Sequence, residues 1–474
     1  MSTFSGLNTA YRGLSAARAG LDVVGQNIAN ASTDGYTRQR VTTSSINAVQ
    51  PGLFSTGTAI GQGVSVDGYA RIGDAQQDAQ VRSTASSAGY GSVRSSVLST
   101  LEASLNEPGT NGLSAQLNTF WAGWGDMANA PGGASPASTL LGEAQTIADT
   151  LKTGYQQVSD QWSATRTQVA SLANDLNSAA AQVADLNKQI QQGLSTGGSV
   201  NELVDKRNAL TEKISSLAGG SVHANSDGTV DVLIGGNAIV SGTESRSVQV
   251  TGSSTLEGAG ASPVTLEWTH RPGTSVGLDG GQIAGALSVL APADGSGSGG
   301  VLAEAAASYN AFATQLAAAV NSVYQTGSTP SGTTGADFFA VSATGPAATG
   351  LSVIPKSAAD IQTGTAGSGA LDGSVALQIS HLGVGAAAPD RAWAAFVTST
   401  GALAQTEIAS SDRATIAATA AKTQQQSTAG VDLDEENVNM LTFQHAYQGA
   451  ARVMTAVDEM LDTLINHVGH VGIA

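Results

Sequence analysis

Apolar residues recur at every seventh position at both ends of the chain. At the front, Leu7, Leu14, Leu21 and Ile28 form one stripe, and Phe4 and Tyr11 stand three residues ahead of Leu7 and Leu14. At the back, Leu433, Met440, Tyr447, Met454, Leu461 and Val468 keep the same period, and Phe443, Ala450, Val457, Leu464 and Val471 follow three residues after their stripe mates. This spacing predicts two helices that each carry half of a coiled-coil seam. Such a stripe cannot be buried within its own helix, so each terminus needs a partner, either the opposite terminus or a neighbouring copy. The expected assembly seam is Leu7, Leu14, Leu21, Ile28, Met440, Phe443, Tyr447, Met454, Val457, Leu461 and Leu464. Lacking a large intramolecular core to cover them, residues 1–35 and 430–474 are expected to be loosely ordered until assembly.

Between the ends, a helix is expected over 74–105, closed by Pro108 and Gly109, and another over 113–127 carrying Phe120, Trp121 and Trp124. Residues 137–192 keep helical spacing through Ile147, Leu151, Val158, Trp162, Val169, Leu172, Leu176, Val183, Leu186 and Ile190. That predicts a rod of roughly 80 Å. A second helix, 201–217, should fold back on it. From Ser221 the period changes to two, with Val230, Val232 and Ile234 alternating, which predicts a small β domain. Helices return over 282–290, 301–324, 391–425 and 433–471, and the Gly/Thr/Ser-rich stretch 325–388 reads as a second β-like insertion. The expected fold is mainly α with β insertions: terminal coiled-coil helices, a long helical-bundle domain, and one or two small β-rich outer domains. The corresponding division is 1–35 with 430–474, then 36–218 with 282–324 and 389–429, then 219–281, then 325–388.

Charge changes this picture little. The net charge of −17 and only 20 basic residues argue against a nucleic-acid surface, which needs clustered Lys and Arg. Four arginines against two aspartates give residues 1–40 a charge of +2, whereas one arginine against seven acids gives 431–474 a charge of −6. The two ends would attract. Cysteine is absent, which excludes disulfides and thiolate chemistry. No cleavable signal and no apolar run long enough to span a membrane is visible. Nothing suggests catalysis: His467 and His470 lack a third ligand, and the glycine-rich run 295–300 lacks the Lys-Ser/Thr of a phosphate loop. No cofactor or metal is expected. The acidic cluster Asp432, Asp434, Glu435 and Glu436 suits the start of a helix.

The run Asn27, Ile28, Ala29, Asn30, Ala31, Ser32, Thr33, Asp34, Gly35, Tyr36 resembles the N-terminal signature of the flagellar rod, hook and hook-associated proteins. The continuation Thr37, Arg38, Gln39 is similar to the hook-associated branch of that family. Residues 203–210, 227–230, 234–236, 430–436 and 458–466 resemble its middle and C-terminal regions. The resemblance implies a structural adaptor, not an enzyme, that assembles as a ring of copies joining hook to filament. It implies the hook protein on one side, the next hook-associated protein on the other, and an export chaperone on the C-terminal helix. It also implies secretion through the flagellar type III apparatus to the extracellular flagellum. A hook or distal rod protein, and a secreted coiled-coil adhesin, are the rival readings.

Overall fold

A computed structural model describes residues 3–47, 61–463 and 465. Leu464, Val468, Val471, His467 and His470 lie outside the described residues. The chain opens with α1 (Thr3–Ala29), then the hairpin β1 (Gln39–Ser45) and β2 (Val64–Arg71), followed by α2 (Ala75–Ser104) and α3 (Leu113–Asn129). Next come α4 (Ala134–Ser195) and α5 (Asn201–Ala218). Six short strands follow: β3 (Ser221–Ala224), β4 (Val230–Ile234), β5 (Asn237–Ser241), β6 (Glu244–Ser245), β7 (Val248–Thr251) and β8 (Thr265–Trp268). The remaining helices are α6 (Gly281–Leu290), α7 (Val301–Tyr324), α8 (Ala347–Gly350), α9 (Ser374–Ser380), α10 (Pro389–Ala429) and α11 (Leu433–Asp462). The architecture is mainly α with small β additions.

The 62-residue α4 is the spine. Its stripe from Leu140 through Ile147, Leu151, Val158, Trp162, Val169, Leu176 and Val183 is buried against α3, α5, α6 and α7, and Leu186 is half-buried. Helices α2 and α10 pair antiparallel beside it, marked by Gln77 with Thr428 and by Arg94 with Glu407. Gly91 lets α10 approach, because a Cβ there would stand 3.1 Å from Ser411 Cα.

The small strands have no core of their own. In the sheet ordered β3-β4-β5-β6, Val230, Val232 and Ile234 turn inward and join the core built on α4. Asparagines on α4 bind strand backbone as another strand would. Fully buried Asn187 donates to Val230 O (2.8 Å) and Gly242 O (2.6 Å), and accepts from Val230 N (3.1 Å). Asn177 does the same for Val248, donating to its carbonyl (2.9 Å) and accepting from its amide (2.8 Å). Each bond satisfies an edge backbone group that would otherwise be costly to bury.

The expectation of a β-like outer insertion over 325–388 needs correction. Its strands are two-residue pairs, Phe339–Ala340 with Ser352–Val353 and Gly327–Ser328 with Gly364–Thr365. The segment instead closes one end of the bundle. Phe338, Phe339, Ile361, Val375 and Ile379 are buried, and the rings of Phe120, Trp124, Tyr324 and Phe338 meet at centroid distances of 5.0 to 6.3 Å. Asn321 on α7 donates to Phe339 O and accepts from the amides of Phe338 and Phe339. The composition looked like loose β structure because these contacts are made across the fold.

The chain ends pair with each other, so the stripes do not wait for a second copy to find a partner. Helices α1 and α11 run antiparallel, and their closest points repeat by heptads: Gly6 to Val457, Gly13 to Ala450, Gly20 to Phe443 and Asn27 to Glu436. The centre of the α1 face is therefore small, with Ala10, Ala17 and Val24 buried between the glycines at spacings of three and four. Leu7, Leu14, Leu21 and Ile28 lie half-buried on its flank, and Phe4 and Tyr11 are 70 % and 60 % exposed. The expected leucine-centred seam is thus displaced by one residue, about 100° around the helix. On α11, Phe443 is half-buried and Val457 is buried against α1, Met454 and Leu461 are half-buried, and Met440 and Tyr447 remain more than a third exposed.

Two outcomes check this packing. Gly13→Ala should raise hydrogen-exchange protection across α1, since its methyl would lie at ordinary contact, 3.8 Å from Ala450 Cβ, and alanine gains about 1 kcal/mol over glycine in a helix. Gly20→Ala should lower protection, because its methyl would enter the Phe443 ring and overpacking costs about 1–3 kcal/mol. Effects of the same sign would contradict the seam. Replacing residues 325–388 by a flexible linker should lower the thermal midpoint and red-shift tryptophan emission as Trp124 becomes hydrated. An unchanged midpoint and spectrum would show that the bundle end closes without that segment.

Candidate functional site

The last turn of α1, the residues after it and the first turn of α11 converge on one buried polar node. Gly35 at φ +76° turns the chain back after Asp34, so residues 36–39 run beside the helix they have just left. Asn30 serves that turn locally, donating to Gln26 O (3.0 Å) and accepting from the Thr33 hydroxyl (3.3 Å). Asn27, 1 % exposed, is the hub. Its Nδ2 donates to Gln39 O (2.9 Å) and Glu436 Oε2 (3.1 Å), and its Oδ1 accepts from Gln39 N (3.0 Å) and the Tyr36 hydroxyl (2.9 Å).

Glu436 is equally buried, and Arg38 neutralises it: Nε donates to Glu436 Oε1 at 2.7 Å and a terminal nitrogen to Glu435 Oε2 at 2.8 Å. These carboxylates hold the Arg38 guanidinium above its ordinary pKa, the Glu435 hydrogen bond most of all. Asp432 caps α11 by accepting from the amides of Asp434 and Glu435, so this helix start has both a cap and acidic residues suited to its dipole. The Arg38 amide donates to Ala429 O (2.8 Å), tying the same segment to the end of α10.

A second ion pair fastens the node to the bundle. Thr37 N donates to Asp205 Oδ2 (3.1 Å), Arg71 Nε donates to Asp205 Oδ1 (2.7 Å), and Arg71 also donates to the Thr37 hydroxyl (2.8 Å). Asn201 donates to Gln39 Oε1 (2.9 Å), and Gln26 donates to Glu202 Oε1 (3.0 Å). The structure thus brings Asn27, Tyr36, Thr37, Arg38 and Gln39 together, with Asn30 and Gly35 shaping the turn. Sequence reasoning missed Arg71 and the pairing of Asn27 with Glu436. The available signal was the heptad Gly6, Gly13, Gly20, Asn27, whose fourth member is polar. Burial, reinforced by Asp205, pushes the Tyr36 hydroxyl up to about 12. Burial, helped by nearby Arg71, pulls Arg207 down to about 10; its guanidinium donates to Asn187 Oδ1 (3.1 Å) and Gly228 O (2.7 Å).

Outside the seam, the terminal pair keeps an apolar surface. Leu433, Val438, Leu441, Val453 and Met460 on α11 are about half exposed or more. Among the described residues no helix is long and apolar enough to cross a membrane, and no cluster of three or more metal-ligating side chains occurs.

The comparisons with known proteins follow this division. The family model "Flagella basal body rod protein" matches residues 7–37, and "Flagellar basal body rod FlgEFG protein C-terminal" matches 424–467. Those two matches cover most of α1, the turn after it as far as Thr37, and α11 with Glu436, and they define the class as a flagellar axial protein. Between them, "Flagellar hook-associated protein FlgK helical domain" matches residues 98–339, about half of the chain. Flagellar hook-associated protein 1 of Bacillus subtilis is 32 % identical over 99 % of both chains. The chain belongs to the flagellar hook-associated protein 1 (FlgK) family. The Escherichia coli protein of that name is 26 % identical over 71 % of this chain and 60 % of its own length. The flagellar hook junction protein FlgK from Burkholderia pseudomallei shares the fold at a TM-score of 0.64 and 17 % identity, covering 74 % of this chain and all of its own.

Arg38→Ala should destabilise the terminal pair by about 3–5 kcal/mol, because it leaves the Glu436 carboxylate buried without its cation. Arg38→Lys should recover only part of that loss, since an ammonium cannot reproduce the guanidinium fork that spans both carboxylates. Urea unfolding followed at α1 amides measures both. Tyr36 gives a pH test. Its folded pKa of about 12 exceeds the ordinary 10.0, so the unfolded chain releases that proton first and the stability Tyr36 confers falls as pH rises from about 10 to 12. The stability difference between wild type and Tyr36→Phe should therefore be constant below pH 10 and shrink above it. A difference that grows above pH 10 would contradict the burial of that hydroxyl.

Proposed function

We propose that this chain is a structural adaptor of the bacterial flagellum that joins hook to filament as a ring of identical subunits. The observation that carries this reading is the division of labour on the terminal pair. Small residues and the Asn27–Glu436 node satisfy the seam within one chain, and large apolar residues spread over the rest of α11, Leu433, Val438, Leu441, Val453 and Met460, are left for neighbours. Burial of such side chains is worth about 1.5–3 kcal/mol each, enough to drive association once a ring supplies the partner surface.

In this reading the outer apolar face of α11, with Phe4 and Tyr11 of α1, contacts neighbouring copies. The hook protein meets the ring on one side and the next hook-associated protein on the other. An export chaperone covers the C-terminal helix before assembly, shielding the same apolar side chains. The chain is secreted by the flagellar type III apparatus and resides in the extracellular flagellum. The terminal pair, residues 1–35 with 430–474, acts as the assembly domain. The bundle, residues 36–218 with 282–324 and 389–429, holds segment 219–281 against α4 and is closed at one end by segment 325–388.

Leu441→Asp combined with Val453→Asp tests the reading, since both positions are exposed in the single chain. The purified variant should match wild type in circular dichroism and thermal midpoint, while a deletion strain expressing it should export hook-associated protein and fail to retain filaments. Normal swimming in that strain would remove the outer face of α11 from the assembly surface.

A further inference from the structure

The apolar part of the α1–α11 seam is nearly unchanged by sliding one helix along the other by a heptad. Gly6, Gly13 and Gly20 occupy the same heptad position and face Val457, Ala450 and Phe443 respectively, the Phe443 ring entering the space at Gly20. Moved by seven residues, Phe443 would face Gly13, again a glycine. Moved the other way, Ala450 would face Gly20 and Val457 would face Gly13. The buried residues between the glycines, Ala10, Ala17 and Val24, repeat with the same period. Packing alone therefore specifies that the helices pair and run antiparallel, but barely distinguishes three registers about 10.5 Å apart.

The fourth heptad pair breaks this equivalence. Asn27 meets Glu436 in the observed register, both are 1 % exposed, and Arg38 closes the set. One slip sets Asn27 against Phe443, and the other sets Glu436 against Gly20. Either leaves buried hydrogen-bonding groups, one of them a carboxylate, without partners. No α10 residue between Ser411 and Ala429 is buried, so its last turns are held to the bundle by polar contacts, Lys422 to Glu212, Gln425 to Asp78 and Thr428 to Gln77, which a shift of α11 would have to exchange for water. We propose that the Asn27–Glu436–Arg38 node is a register lock: it selects one of three near-equivalent alignments of the terminal pair, and so fixes which α11 side chains stand beside which α1 side chains on the outer face. This inference concerns the single chain and holds whether or not that outer face is the assembly surface.

The chain has no cysteine, so engineered pairs report register without background. A Cβ at Gly13 would lie 3.8 Å from Ala450 Cβ, within disulfide geometry, so Gly13→Cys with Ala450→Cys reports the observed register. Gly13→Cys with Phe443→Cys, or with Val457→Cys, reports the two slipped ones. In the full-length chain under mild oxidation, the first pair should cross-link and the others should be weaker on the order of a hundredfold. Adding Asn27→Leu and Glu436→Leu, which keeps the position apolar and filled, should bring slipped and observed cross-links to comparable yield. Helix content by circular dichroism should stay unchanged. Cross-linking confined to the observed register in the Leu variant would overturn the proposal, because packing or the tether would then set the alignment. Loss of all three cross-links would overturn it too, since the node would then hold the pair together instead of aligning it.

Discussion

The structure depends on how closely α1 can approach α11. Glycine at position 20 removes the side chain that would hold the helices apart, because the Phe443 ring occupies that space, whereas a Cβ at Gly6 or Gly13 would make only ordinary contact with α11. Close approach by small residues means that the pair buries little large apolar surface in its own seam. Two consequences follow from that one constraint. The pair needs a polar node for alignment, and its large apolar side chains are free to face outward. A leucine-centred seam would have reversed both, giving a tighter pair with less surface for a neighbour.

The node also transmits position to the rest of the molecule. Arg38 reaches α11 while its own amide holds the end of α10, and Thr37 beside it binds Asp205 at the start of α5. A short stretch after α1 thereby relates the terminal pair to the bundle through charged hydrogen bonds, which are directional where apolar contact is not. Neutral side-chain amides fix position in a similar way on α4 and α7. Asn177, Asn187 and Asn321 use side-chain amides to complete strand backbone, so segments that could not form sheets alone are held in fixed places on the helices.

Periodicity made the helical framework legible. The spine, the fold-back helix α5 and α7 follow from apolar spacing and glycine stops because those patterns are local. The terminal seam was harder to read because glycine has no hydrophobic signature: Leu7, Leu14 and Leu21 each follow a glycine directly, and counting large residues put the interface on the wrong neighbour. Segment 325–388 was misjudged for another reason. Its glycine, serine and threonine content hid Phe338, Phe339 and Ile361, whose burial depends on α3 and α7 more than on their own neighbours in sequence. The signature from Asn27 to Gln39 identified the site, but its partners Arg71, Asp205 and Glu436 are far away in the chain and visible only once folded.

The most direct test of the account is electron cryomicroscopy of the assembled hook-filament junction at side-chain resolution. The account predicts that each subunit's α1 lies antiparallel on its own α11, with Gly20 against Phe443, and that Leu441 and Val453 are covered by the next copy. If α1 were paired with another subunit's α11, or if Leu441 and Val453 faced solvent in the assembled ring, the division between an internal small-residue seam and an external apolar face would be wrong.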